Sequence, residues 1–187
     1  MRIITGTAKG CRLKSPPGMN TRPTADRVKE SLFNILGALV RDCTVLDVFA
    51  GTGALGLEAL SRGASQAVFV DKTTTSLIRD NAAHTKLAAR ARIIGGDASK
   101  ILPKLQKDGL SFGLIFADPP YGSGWAEKML RFVDTGTLLS ATGVFILEHS
   151  SLLPLPQPHN LLLTRQENYG SQICLDFYRY KPISEGC

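Results

Sequence analysis

The stretch Val45-Leu46-Asp47-Val48-Phe49-Ala50-Gly51-Thr52-Gly53-Ala54-Leu55-Gly56 decides the fold. An apolar run ends in glycines spaced G-x-G-x-x-G, and a helical pattern follows over Leu55–Ser61. A strand–turn–helix unit of this kind uses glycine where the backbone turns tightly and where a ligand must touch it. Outward from here the chain alternates. Strand-like runs are Thr44–Phe49, Ala67–Asp71, Arg92–Gly95, Leu114–Ala117, Val144–Glu148, Leu161–Arg165 and Ile173–Tyr180. Helical patterns over Thr75–Ala88, Ala98–Gln106 and Trp125–Val133 fill the next gaps. The alternation predicts an α/β fold with a mostly parallel sheet covered on both faces. The last two runs leave no room for a helix, so Asn168-Tyr169-Gly170-Ser171 predicts a hairpin. One of seven strands is then antiparallel.

Composition narrows the class. At 187 residues and 43% hydrophobic, the chain can bury a sizeable core, which excludes disordered and fibrous proteins. No run approaches the roughly 18–20 apolar residues of a membrane span, and the N-terminus lacks the apolar core of a secretory signal. Cys11, Cys43, Cys174 and Cys187 are scattered with no C-x-x-C, and none of His84, His149 and His159 has metal-ligand spacing. Reduced thiols, a cytoplasmic setting and no bound metal are the expectation.

The net charge of +6 is concentrated. Residues 1–41 carry Arg2, Lys9, Arg12, Lys14, Arg22, Arg27, Lys29 and Arg41 against Asp26 and Glu30, while residues 42–187 are balanced. This divides the chain into an N-terminal extension, 1–41, and a main domain, 42–187. Arg2–Thr5 and Cys11–Lys14 read as a hairpin. Thr24 reads as the N-cap of a helix whose apolar stripe is Val28, Leu32, Ile35, Leu36 and Leu39, with Arg27 and Lys29 facing outward. The charge fits a solvated face or an arm for phosphates; composition does not choose between them.

The strand ends carry the chemistry, because doubly wound sheets bind ligands beyond their carboxyl edge. Asp71 closes the second strand, where a carboxylate can take ribose hydroxyls. Asp97 and Ala98 follow the third, near where an adenine amine would lie. Asp47 stands just before the glycines; it would repel a pyrophosphate but attract the ammonium of a methionine moiety. That favours S-adenosyl-L-methionine over a nicotinamide dinucleotide. The fourth strand runs into Asp118-Pro119-Pro120-Tyr121. An exocyclic base amine is a poor nucleophile, since its lone pair is delocalised into the ring. The Asp118 carboxylate and Pro119 carbonyl could accept its hydrogens and free that pair. The prolines fix the backbone and remove competing donors, and Tyr121 could stack on the base.

These motifs together resemble the class I amino-methyltransferases. More narrowly, Met1-Arg2-Ile3-Ile4 with Gly6 and Gly10, Thr21-Arg22-Pro23-Thr24, Leu46 to Ala64 and Tyr169-Gly170 resemble the bacterial 16S rRNA (guanine(966)-N2)-methyltransferase family. The resemblance implies a Rossmann-like methyltransferase fold and methyl transfer to a guanine 2-amine of 16S rRNA, in the assembling or assembled small ribosomal subunit. It implies that Asp47, Phe49, Gly51 and Gly53 hold the methionine part of the cofactor, Asp71 the ribose, and Asp97 with Ala98 the adenine. Asp118 to Tyr121 would take the flipped guanine. Arg2, Lys9, Arg12, Lys14, Arg22, Thr24 and Arg27 would meet the RNA. Asp71 stands where Glu is more usual in the family, and Thr52 where Ser is common. A monomer with no membrane association is expected. Other readings of the motifs are an adenine-N6 methyltransferase or a noncatalytic RNA-binding assembly factor.

Overall fold

The computed structural model describes residues 1–15 and 23–182. In chain order the elements are α1 (Pro23–Leu36), β1 (Thr44–Val48), α2 (Ala54–Ser61), β2 (Gln66–Asp71), α3 (Thr75–His84), β3 (Ala91–Gly95), α4 (Ala98–Lys107), β4 (Phe112–Ala117), α5 (Trp125–Thr135), β5 (Leu139–Ser150), β6 (Leu161–Tyr169) and β7 (Ile173–Tyr180). The strands form one sheet in the order β3-β2-β1-β4-β5-β7-β6. Neighbours from β3 through β5 are parallel, and β7 runs antiparallel to both β5 and β6.

Strand order explains the layers. From β1 the chain steps one way to β2 and β3, and then returns past β1 to β4 and β5. Right-handed crossovers therefore put α2 and α3 on one face and α4 and α5 on the other. The buried side chains divide accordingly. Leu57, Leu60, Ile78 and Ala82 share one core with Phe69 and Phe116; Leu102, Leu105, Met129 and Leu130 share the other with Ile115 and Phe145. The reversal between β1 and β4 parts their following loops and opens a crevice at the carboxyl edge.

Four boundaries differ from the pattern, the first being the start of β5 at Leu139 rather than Val144. Helix α3 stops at His84 because Lys86 turns left-handed (φ 59°), and its N–H and that of Leu87 close the end on Ala83 and Ala82. Strand β6 runs on through Gln166–Tyr169, polar residues that keep pairing with β7 on an exposed edge. Helix α1 begins at Pro23, so Thr24 lies inside its first turn and is not the N-cap; proline, lacking an N–H, suits that first position.

The N-terminal residues pack onto the body rather than standing off it. The expected hairpin is reduced to one bridge, Arg2 with Arg12, plus backbone bonds from Ile3 N to Cys11 O and Leu13 N to Met1 O. Ile3, Ala8, Leu13, Val28, Leu32 and Phe33 join the core of the α2–α3 face. Gly6 (φ 86°) abuts the end of α2, where a Cβ would lie 1.9 Å from the Ser61 carbonyl oxygen. Asn81, fully buried on α3, takes Lys14 N–H on Oδ1 and donates from Nδ2 to Lys14 O and Thr52 O, tying this segment to the glycine turn.

The strongest tie is ionic. Glu58 of α2, with no exposed surface, accepts the Ile4 N–H at 2.7 Å, the Thr5 N–H at 3.0 Å and the Arg62 Nε–H at 2.7 Å. Lys29 Nζ lies 3.3 Å from the same carboxylate and also donates to the Arg2 carbonyl. Lys29 is thus 3% exposed, which corrects the outward placement expected for it. Its neighbour Val28 belongs to the buried stripe, and the long lysine stem can follow it inward to Glu58. Burial holds the Lys29 ammonium below its usual pKa in spite of Glu58.

Glu58→Gln leaves that ammonium with no compensating charge. It is expected to cost about 3–5 kcal/mol in urea unfolding, as for other broken buried pairs. A loss under about 1 kcal/mol would show that the ion cluster does not anchor the segment.

Candidate active site

A cavity of about 400 Å³ opens at the β1/β4 switch point. Its floor is Asp47, Phe49, Gly51, Thr52 and Asp118, and its roof is Met1, Val28, Lys29 and Leu32 from the N-terminal segment. The three glycines have different tasks. Gly51 (φ 55°) faces open space, its nearest neighbour to a built Cβ being Phe49 O at 3.9 Å, so a ligand can approach the backbone there. Gly53 (φ 77°) turns the chain into α2. At Gly56 a Cβ would lie 2.4 Å from the Phe69 ring, so glycine here lets α2 pack against β2.

Asp47, 3% exposed, accepts the Gly56 N–H at 2.9 Å on Oδ2. Burial outweighs this bond and pushes its carboxyl up to about 7, with Asp71 adding a little. Phe49 itself sits left-handed (φ 60°), a conformation that costs energy outside glycine, and meets Trp125 edge-on at 5.2 Å between ring centres. Trp125 therefore packs under the turn, and it is absent from the lining of the second cavity described below.

Asp71 and Asp97 lie at successive strand ends, outside the lining of this cavity. Asp71 Oδ2 accepts the Gly51 N–H at 2.9 Å, and Oδ1 accepts those of Thr73 and Thr74 at 2.8 and 2.9 Å. Burial pushes its carboxyl up, but these donors together hold it below the ordinary range. Asp97 caps α4 through Ser99 N–H at 3.0 Å and Ser99 Oγ at 2.7 Å, which lowers its pKa. Ala98 begins that helix and is buried. Both carboxylates thus shape the loops as well as facing the edge where a nucleoside would lie.

The Asp118-Pro119-Pro120-Tyr121 turn is divided between two cavities. Asp118 lines the first. Pro119, Pro120 and Tyr121 line a second of about 570 Å³, together with Gly124, Leu152 and Leu153. Asp118 is reached by solvent through the crevice but is surrounded mainly by protein. Desolvation, then Glu148 and Asp47, push its pKa up, an effect its open side tempers. Tyr121 is 51% exposed and donates its hydroxyl to Glu148 Oε1 at 3.1 Å. Glu148 was not evident from sequence: it ends an ordinary apolar strand, and only the β4–β5 register sets it beside Asp118.

The basic residues of the extension fall into groups. Lys9, Arg12 and Arg27 are exposed, and among the described residues none has a carboxylate within ion-pair distance. Lys14 pairs with Asp80 at 3.2 Å and Arg2 lies 4.0 Å from Asp26. Arg22 lies outside the described residues, as do the side chain of Thr24 and Cys187. Arg165 of β6 joins Arg27 around a surface hollow, a neighbour that sequence distance concealed. Next to β6, β5–β7 pairing puts His149, Cys174 and Asp176 within 4.8 Å of one another. Asp176 is engaged by Gln166 Nε2, Tyr178 OH and Cys174 Sγ, and His149 Nε2 lies 3.1 Å from it. No helix among the described residues is long and apolar enough to cross a membrane.

The fit to S-adenosyl-L-methionine rests on the first cavity. Asp47, Asp118 and Glu148 converge on it, and burial raises the pKa of each in the absence of a countercharge. Lys29, the cation in the lining, is taken up by Glu58. The site is therefore matched to a cationic ligand. Raised acid pKa values mean that the folded state binds protons which the unfolded chain has released. Stability conferred by Asp47 and Asp118 thus falls as pH rises from about 5 to 8. The thermal midpoint, followed by scanning fluorimetry, is expected to drop across that range, with a shallower slope in Asp118→Asn. Equal slopes would mean that Asp118 titrates normally.

Comparison with known proteins agrees with the geometry. Ribosomal RNA small subunit methyltransferase D of Escherichia coli (strain K12) is 35% identical over 188 residues, covering 99% of this chain and 92% of that protein. The solved structure of yhhF from Escherichia coli superposes with a TM-score of 0.85 at 35% identity, covering 97% of this chain and 98% of that one. SMU.776, solved as a complex with SAH, shares the fold at 16% identity and a TM-score of 0.68, covering 84% of this chain and 50% of that one. Residues 1–179, extension and sheet together, match one family in full, and the chain belongs to it: the family described as Conserved hypothetical protein 95.

Proposed function

We propose that this chain methylates ribosomal RNA, taking the methyl group from S-adenosyl-L-methionine and placing it on the N2 amine of a guanine in 16S rRNA. The observation that carries the reading is the division of one turn between two cavities. Asp118 faces the cavity suited to a cation, and Pro119 to Tyr121 face a second, separate cavity with room for a base. The relatives named as small-subunit rRNA methyltransferases support RNA as the substrate. The resemblance to the guanine-N2 family supports the target atom.

The cofactor supplies an electrophilic methyl on a sulfonium. Asp47 and Asp118 favour that cation near the β1 turn, and in turn its charge favours their ionised forms. The Asp118 carboxylate and the Pro119 carbonyl accept the N2 hydrogens, so the nitrogen lone pair is directed at the methyl. Tyr121 and the two prolines hold the base plane, and alignment supplies most of the acceleration. The proton leaves N2 after transfer, either to solvent or to the Asp118 carboxylate that already accepts from that amine. In this reading residues 1–41 are the RNA-contacting extension and 42–187 the methyl-transferring part of a cytoplasmic monomer. The exposed charges of Lys9, Arg12 and Arg27, unpaired among the described residues, support that role.

Asp118→Ala is expected to lower methyl incorporation into small subunits by at least about a hundredfold while cofactor binding by equilibrium dialysis persists. Undiminished methylation by that variant would defeat the mechanism. Lys9→Ala with Arg12→Ala should reduce the slope of log affinity for RNA against log salt by about 0.7–0.9 for each phosphate no longer neutralised. An unchanged slope favours a merely solvated face. Mass spectrometry of the product should place the methyl on guanine N2; a methyl on adenine N6 would transfer the reading to the adenine class.

A further inference from the structure

Glu148 joins the two halves of the site. It is the one residue, among those described, that lines both the cofactor-sized cavity and the cavity formed by Pro119, Pro120 and Tyr121. Ala117 pairs with Leu147 across β4 and β5, so Asp118 and Glu148 stand side by side one step beyond that pair. Alternation along β5 turns Ile146 and Glu148 to the same face as Asp47 and Phe116, and all four line the first cavity. Glu148 is half-buried, forms no ion pair among the described residues, and receives one hydrogen bond, from Tyr121 OH. Its neighbour His149 also lines the second cavity, with its ring nitrogens against Asp176 and the Ser150 carbonyl.

Such a carboxylate has unfilled acceptor capacity where the edge of an entering base must pass. Guanine presents two adjacent donors there, N1–H and N2–H, which match the two oxygens of one carboxylate. Adenine and cytosine present a ring-nitrogen lone pair beside their amine, which a carboxylate repels. We propose that Glu148 is the specificity-determining residue for guanine, accepting N1–H and sharing with the neighbouring Asp118 the N2 hydrogen on that side, while the Pro119 carbonyl takes the other. Tyr121 OH positions the Glu148 carboxylate for this from the base-pocket side. The assignment rests on the guanine-N2 reading above and adds the group that reads the ring nitrogen.

The test uses the full-length chain and small subunits reconstituted with 16S rRNA carrying guanosine or 2-aminopurine riboside at the mapped target nucleotide. 2-Aminopurine keeps the C2 amine but has a lone pair in place of N1–H. The wild-type protein is expected to prefer guanosine by about 10–100-fold in kcat/KM, the value of one good bidentate base contact. Glu148→Gln presents a carbonyl and an NH₂, a match for 2-aminopurine. It should lose about 10–100-fold on guanosine and narrow or invert the preference, while any loss of S-adenosylmethionine affinity from the missing charge falls equally on both substrates. Equal loss on both substrates overturns the proposal in favour of a general or cofactor-binding role. Equal wild-type rates on the two substrates overturn it without recourse to any variant. Wild-type protein that methylates adenine and no guanine removes the guanine reading itself, and the role of Glu148 falls with it.

Discussion

The buried carboxylate of Glu58 is the constraint on which the rest of the site depends. An anion shut away from water must be surrounded by donors, and the Ile4 and Thr5 N–H groups, Arg62 and Lys29 supply them. Two of these partners come from the N-terminal strand-like segment, one from α1 and one from the residue that caps α2. Satisfying Glu58 therefore fixes the N-terminal segment and α1 onto α2. It also sets Met1, Val28 and Leu32 over the β1 turn, and without them the first cavity is an open groove.

The extension consequently has two faces with different work. Its inner face is apolar and closes the first cavity, while its outer face keeps Lys9, Arg12 and Arg27 in solvent. In the proposed function, phosphates drawn to the outer face lie on a segment whose other side touches the cofactor. The long reach of Asn81, from Lys14 to the Thr52 carbonyl, is a direct strut between the two. Charge concentration and cavity roof are properties of the same residues.

Within the crevice the protein gathers acids rather than balancing them. Asp47, Asp118 and Glu148 share one low-polarity space, and each is disfavoured in its ionised form. That arrangement is costly for an empty protein and favourable once a cation enters. Asp71 and Asp97, at the neighbouring strand ends, are satisfied by backbone donors and have lowered pKa values. The acids that shape loops and the acids that await charge are thus distinguished by their hydrogen bonds.

The sequence by itself determined the alternation of strand and helix, the single reversed strand, the glycine turn after β1 and the Asp118–Tyr121 turn after β4. All of these are local: side-chain period, turn chemistry and the places where only glycine or proline fits operate over a few consecutive residues. Tertiary structure alone decided that Lys29 points inward, since its partner Glu58 lies on another helix and a helical pattern cannot know its neighbour's charge. It alone placed Met1 over the first cavity, brought Arg165 to Arg27, and set His149 against Cys174. Glu148 is the clearest case. In sequence it is a polar residue at the end of an apolar strand, and it gains meaning only from the register that aligns Ala117 with Leu147. Register is fixed by the burial of whole strand faces, a long-range constraint that no short window of sequence contains.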